Sequence, residues 1–158
     1  TGEEGVVVNT SSGDGGIAPV PYASVYAASK AAITCFTEAL AHQLVDTGTT
    51  LRAAVFYPSG GLMDTGLWTA QRNRPAELAR EREHAPGPVV TFADFRERLA
   101  ATGRDVTVAD LVELGRFVVA EIKNGSFVIG HDLDRAGELL HARADAIAEG
   151  RLPPHHNL

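Results

Sequence analysis

Short runs of apolar, β-branched residues alternate along this chain with longer stretches whose apolar positions recur every three or four residues. The first run, Gly5-Val6-Val7-Val8-Asn9-Thr10, is bounded by Gly and Ser and predicts a strand buried on both faces, as in parallel sheets. A Gly- and Pro-rich loop follows. From Ser24 to Val45, the residues Val25, Ala28, Ala32, Phe36, Ala39 and Leu40 recur at helical spacing, and Gly48 supplies a stop. A second apolar run, Leu51 to Tyr57, ends at Pro58. Strand, helix and strand in this order make a βαβ unit, the building block of a doubly wound sheet.

Residues 58 to about 105 carry no continuous core pattern. Short helices are expected near Ala70–Glu83 and Phe92–Ala101, separated by Pro86-Gly87-Pro88. Thr91 with Asp94, and Thr107 with Asp110, have the spacing of capping boxes. The second box would open a helix over Val108–Lys123 with Leu111, Leu114, Val118, Val119 and Ile122 on one face. Ser126–Gly130 reads as a third strand and Asp134–Glu149 as a last helix, before an irregular tail. No internal repeat, linker or second domain is evident, so the class is α/β, a single partial domain over 1–158.

Composition narrows the partners. The 158 residues are 44% apolar and 22% charged, with a formal charge of −6, which disfavours nucleic acid and anionic membranes. No apolar run approaches the roughly 20 residues needed to cross a bilayer. One cysteine, Cys35, excludes an internal disulfide, suits a reducing cytoplasm and reads as a small buried helix residue. His155 and His156, adjacent in a Pro-rich tail, read as solvated rather than metal-bound, and no metal is expected. The arginines at 72, 74, 80, 82, 96 and 98 alternate with acids, as on solvated helix faces. No Gly-x-Ser-x-Gly elbow supports a hydrolase, and Ser59 in Pro-Ser-Gly-Gly reads as part of a turn.

The chemistry concentrates in Asn9-Thr10-Ser11-Ser12-Gly13 and Tyr26-Ala27-Ala28-Ser29-Lys30. Tyr and Lys four apart on a helix lie one turn above each other, roughly 5–6 Å between Cβ atoms. An ammonium near a phenol favours the phenolate, and a tyrosine so tuned can exchange a proton with a carbonyl or alcohol oxygen. A serine from the end of the preceding strand could hold the same oxygen in place. Alone, such a pair also arises on many solvated helix surfaces.

In context the pattern resembles the short-chain dehydrogenase/reductase family: an apolar strand ending Asn-Thr-Ser-Ser, a Gly-bearing loop, then Tyr-Ala-Ala-Ser-Lys opening a helix. Tyr57-Pro58-Ser59-Gly60-Gly61 with Asp64-Thr65 is similar to the family's Pro-Gly turn and downstream threonine. The resemblance implies the C-terminal, catalytic half of a doubly wound, Rossmann-like parallel sheet. It implies an oxidoreductase moving a hydride between NAD or NADP and a secondary alcohol or ketone. Tyr26 resembles the acid/base, and Lys30 the lysine that tunes it and bonds the nicotinamide ribose. Ser12, fourteen residues before Tyr26, fits the substrate-orienting serine better than Ser11, which would shape the strand end. Pro58, Ser59, Gly60 and Met63 would offer backbone contacts to the nicotinamide, and Thr65 a hydroxyl. The family's helix pairs with its copy in a partner subunit, implying a homo-oligomer, dimer or tetramer.

Two departures stand out. Ser59 and an extra glycine intrude on the Pro-Gly turn, and no Gly-rich turn that would seat a pyrophosphate at a helix N-terminus occurs. Three strands cannot close a doubly wound sheet, so an N-terminal half is expected outside this sequence or on another chain. The alternative is a related module that keeps the fold without catalysis. Leu62, Met63, Leu67 and Trp68 in the long segment after the turn suggest an apolar, bulky substrate.

Overall fold

The computed structural model describes residues 2–21, 23–78, 91–103 and 106–155. Pro86-Gly87-Pro88, Arg80, Arg82, His156 and the end of the expected Ala70–Glu83 helix lie outside them. The described residues fall into two compact units, 1–59 with 112–158, and 60–111.

The first unit is built on a parallel sheet of three strands in the order β1-β2-β3. β1 (Gly5–Thr10) pairs along its whole length with β2 (Leu51–Phe56), Gly5 opposite Leu51 and Thr10 opposite Phe56. β3 is Val128–Ile129, shorter than the expected Ser126–Gly130, and pairs with Val55 and Phe56. The helix α1 (Ser24–Asp46) links β1 to β2, and α3 (Leu111–Asn124) precedes β3. α4 (Leu133–Ala148) follows β3, and its Ala136 and Leu139 pack with Phe127 against the buried cluster Ile17, Val55 and Tyr57. β1 is half-buried rather than enclosed on both faces: among the described residues it is a sheet edge, and Val7 is 47% exposed.

The helix α1 corrects the pattern reading most sharply. The stripe Val25, Ala28, Ala32, Phe36 and Ala39 faces away from the sheet, with Val25 83% and Phe36 61% exposed. The buried side runs through Ala27, Thr34, Thr37 and Leu40. Hydrogen bonds explain the choice. Asn9 Nδ2 donates to Thr37 Oγ1 at 3.0 Å, and Thr37 in turn donates to the Ile33 carbonyl at 2.7 Å. Threonine can satisfy its hydroxyl within its own helix and still present a methyl to the sheet, so burying it carries no unpaired polar group. Cys35, expected to be buried, is exposed on the outer side.

The second unit is held by side chains of its own. Trp68 packs edge-on against Phe92 at 5.6 Å between ring centroids and on Phe95 at 5.1 Å, while its indole N–H donates to the Met63 carbonyl at 2.9 Å. The expected capping box opens α2 (Phe92–Ala101): Thr91 Oγ1 accepts the Asp94 N–H, and the Asp94 carboxylate accepts the Thr91 N–H. The Thr91 N–H first, and the Thr91 hydroxyl second, hold the Asp94 carboxyl below the usual carboxylate range. Short 3₁₀ segments, Gly66–Asn73 and Ala76–Leu78, stand where the first helix was expected. Residues 108–110 are not helical as expected, because Val108 bridges Leu62, with Leu62 N–H on Thr107 O and Ala109 N–H on Leu62 O. Gly61 fits under that bridge at φ +124°, where a Cβ would stand 2.4 Å from Thr107 O. The extra glycine in the turn therefore has a structural reason.

Candidate active site

The tips of β1 and β2, the start of α1 and the turn between β1 and α1 meet at one end of the sheet. Tyr26 and Lys30, one turn apart, share the side of α1 opposite the exposed apolar stripe. Lys30 Nζ donates to the Thr10 carbonyl at 3.0 Å and sits 5.7 Å from the centre of the Tyr26 ring. The Lys30 carbonyl also accepts the Ser11 hydroxyl at 2.9 Å. The end of β1 therefore grips this helical turn twice, through the Thr10 carbonyl and the Ser11 hydroxyl. Among the described residues Lys30 has no carboxylate partner and the Tyr26 hydroxyl has no hydrogen-bond partner. With 38% of Tyr26 exposed, its hydroxyl can meet a ligand.

The two serines are used differently. Ser11 is buried, bonded to the Lys30 carbonyl and, at 2.8 Å, to Thr34 Oγ1. Thr34 continues at 3.1 Å to the Tyr57 hydroxyl, so a polar chain joins the end of β1, the middle of α1 and the end of β2. Burial pushes the Tyr57 phenol up, the Thr34 bond offsets part of this, and the charge of Glu38 adds to the rise. Ser12 is half-buried, and its Oγ accepts the Asp14 N–H at 3.2 Å. Among the described residues its own proton has no acceptor. The turn Gly13–Ile17 that follows lies directly on α1: Gly15 has φ +97°, and a Cβ there would be 2.2 Å from the Ala27 carbonyl oxygen. No other residue fits that approach.

Pro58 and Ser59 end the first unit, while Gly60, Met63 and Thr65 belong to the second. Thr65 Oγ1 accepts the Leu67 N–H at 3.3 Å, and the Met63 carbonyl is taken by Trp68. Ser59 is anchored within the first unit. Its Oγ accepts the His131 N–H at 3.0 Å and lies 3.3 Å from His131 Nδ1, and the imidazole stacks on Phe117 at 3.8 Å.

A cavity of about 260 Å³ opens beside this turn. Its walls include Gly13, Ile17, Tyr57, Pro58 and Ser59, closed on the far side by Gly130 and the first turns of α4. It starts at the residue after Ser12, although Ser12, Tyr26 and Lys30 do not themselves line it. Sequence reasoning missed the contribution of β3 and α4. Nothing local in Gly130-His131-Asp132-Leu133 signals a site, because its neighbours are set by sheet pairing across more than 70 residues.

Residues 1–76 match the short chain dehydrogenase family model. That stretch holds β1, α1, β2 and every site residue expected from the sequence. The fold is similar to the crystal structure of a short chain dehydrogenase/reductase from Burkholderia phymatum in complex with NAD, with a TM-score of 0.74 and 25% identity. The alignment covers 99% of this chain and 53% of that one, so the chain spans about half the length of its structural relative. No curated protein matches the chain. The fold is thus α/β with a parallel, Rossmann-like sheet.

Proposed function

We propose that this chain carries the proton-transfer and substrate-binding residues of an NAD- or NADP-dependent oxidoreductase acting on a secondary alcohol or ketone. The observation that carries the reading is the Tyr26/Lys30 pair at the end of the sheet: Lys30 is pinned to the tip of β1 and the Tyr26 hydroxyl is left open. The family match over 1–76 and the NAD complex of the structural relative support it.

The residues present fit the nicotinamide end of such a cofactor. The Lys30 ammonium has donors beyond its bond to Thr10, suited to ribose hydroxyls, and the Pro58–Ser59 backbone ends β2 in a turn that a flat ring could approach. NAD or NADP would supply or accept the hydride at the substrate carbon. Tyr26 would give its proton to the carbonyl oxygen during reduction and take it back during oxidation. Ser12 would hold that oxygen through its hydroxyl proton, and the Lys30 ammonium beside the ring would offset the charge of the phenolate that reduction leaves and oxidation starts from.

The apolar walls of the cavity, Ile17, Pro58, Leu133, Ala136 and Leu139, support an apolar substrate. This reading now rests on the cavity and not on Trp68, whose ring is occupied by Phe92 and Phe95. The exposed stripe of α1 supports a homo-oligomer joined across that helix. To test the function, the full chain is incubated with NADH or NADPH deuterated at C4 and a cyclic ketone such as 2-tetralone. Deuterium at the new carbinol carbon, lost in Tyr26→Phe, is the expected result. No transfer with either cofactor over a broad ketone panel would overturn it.

A further inference from the structure

The cavity is apolar along most of its wall, yet it contains a hydroxyl whose oxygen is held in place. Ser59 lines it, and the Ser59 Oγ is fixed by the His131 main-chain N–H and the His131 ring nitrogen. Stacking on Phe117 holds that ring in turn. A serine hydroxyl can take part in three hydrogen bonds, one as donor and two as acceptor. His131 accounts for two, and the third has no protein partner among the described residues. Whether the remaining valence donates or accepts depends on the His131 tautomer, and a ligand hydroxyl can answer either way. Asp132 and Arg135, three apart at the start of α4, bring one charge of each sign to the same cavity, so its charge does not demand an ionic ligand. A volume of about 260 Å³ lies just below the roughly 300–1,000 Å³ of pockets for drug-sized ligands, which favours a compact ring system.

We propose that Ser59, positioned by His131, is a specificity-determining residue that selects compact, apolar ring ligands carrying a hydroxyl. This deepens the oxidoreductase reading by naming its substrate class, and relies on that reading for the cavity being the substrate pocket. Ser59 departs from the Pro-Gly turn that this sequence otherwise resembles, and it lines the cavity.

The test measures binding to the full chain without cofactor, using 2-tetralone and 6-hydroxy-2-tetralone as probes. The hydroxylated probe should bind about 3- to 10-fold more tightly, the range of one net hydrogen bond. Ser59→Ala should bring the two affinities within about twofold, and Ser59→Thr, which keeps the hydroxyl, should restore the preference. In the unaltered chain, nuclear Overhauser contacts from the probe to the Ile17 and Leu133 methyls should place it in the cavity, independently of any variant. Equal affinities in the unaltered chain, a preference that survives Ser59→Ala, or absence of those contacts each overturn the proposal. Hydride transfer is then measured separately. A Ser59-dependent preference with no transfer from NADH or NADPH removes the oxidoreductase reading and keeps the subsite, whereas transfer without the preference does the reverse.

Discussion

The two faces of α1 have exchanged the roles that their compositions suggest. The face rich in Val, Ala and Phe looks outward, and the face that carries Tyr26, Lys30, Thr34 and Thr37 lies against the sheet. Apolar burial is non-directional, whereas hydrogen bonds fix position and angle. A helix that must present a tyrosine and a lysine at the tips of two strands gains from docking through Asn9–Thr37, Ser11–Thr34 and Thr34–Tyr57, each of which sets its register. The apolar face is the surface on which we propose association between copies, where register matters less to chemistry. The inner face therefore serves as the positioning surface, and the outer face, exposed in this chain, is the one proposed to be cohesive.

The largest expected effect breaks this division at its chemical end. Tyr26→Phe removes the proposed inner-face acid/base and keeps the ring, so turnover with NAD(P) should fall by about 10²–10⁴ while the thermal transition is unchanged. Steady-state rates and calorimetry on the same preparation check both halves. A variant with near-normal turnover would show that the inner face does not carry the proton transfer.

Next in size is a matched pair on the two faces. Thr37→Val keeps the shape but strips the hydroxyl from a fully buried site, leaving Asn9 Nδ2 without its acceptor. Stability should drop by about 1–3 kcal/mol in denaturant unfolding. Phe36→Glu, on the outer face, should change the unfolding free energy of the separated chain by less than about 0.5 kcal/mol. Sedimentation should instead show a smaller species for Phe36→Glu, because the charge would be buried in the interface. If Phe36→Glu destabilises the chain as much as Thr37→Val does, the outer face belongs to a core and not to an interface.

This reversal also measures what the sequence could reveal. β1, β2 and the span of α1 were legible because local propensity and tertiary structure agree in Val6-Val7-Val8, Leu51–Phe56 and Ser24–Asp46. The Thr91/Asp94 box was legible for the same reason, since both partners lie within one helical turn. The buried face of α1 was not, because an apolar count scores threonine as polar and cannot see the strand-end partners that satisfy it. The Thr107/Asp110 spacing misled for a complementary reason. Thr107 O and Ala109 N are taken by Leu62, some 45 residues upstream, so the chain stays extended where a helix was expected. Tyr26 and Lys30 were readable as a pair, but the Ser59–His131 clasp is a contact across 72 residues between a turn and a strand end. No local pattern encodes it.

The smallest expected effect sharpens the comparison at the far end of the polar chain, where the inner face meets β2. Tyr57 is buried, and its phenol is pushed up mainly by burial, partly offset by the bond to Thr34. A group whose folded pKa is raised holds its proton more tightly in the folded state. Its contribution is therefore complete below the ordinary tyrosine value of about 10 and is lost as pH rises from there through the folded value. Tyr57→Phe should cost about 0.5–1.5 kcal/mol at neutral pH, because the Thr34 bond goes while Ser11 still partners Thr34. Above pH 10 the variant should lose stability less steeply than the unaltered chain, since a phenylalanine has no proton to release. Ionisation elsewhere in the chain is common to both proteins, so the quantity to follow is the difference between the two unfolding free energies from pH 8 upward. That difference should narrow with pH. Parallel curves would mean that the Tyr57 hydroxyl ionises as freely in the folded chain as in the unfolded one.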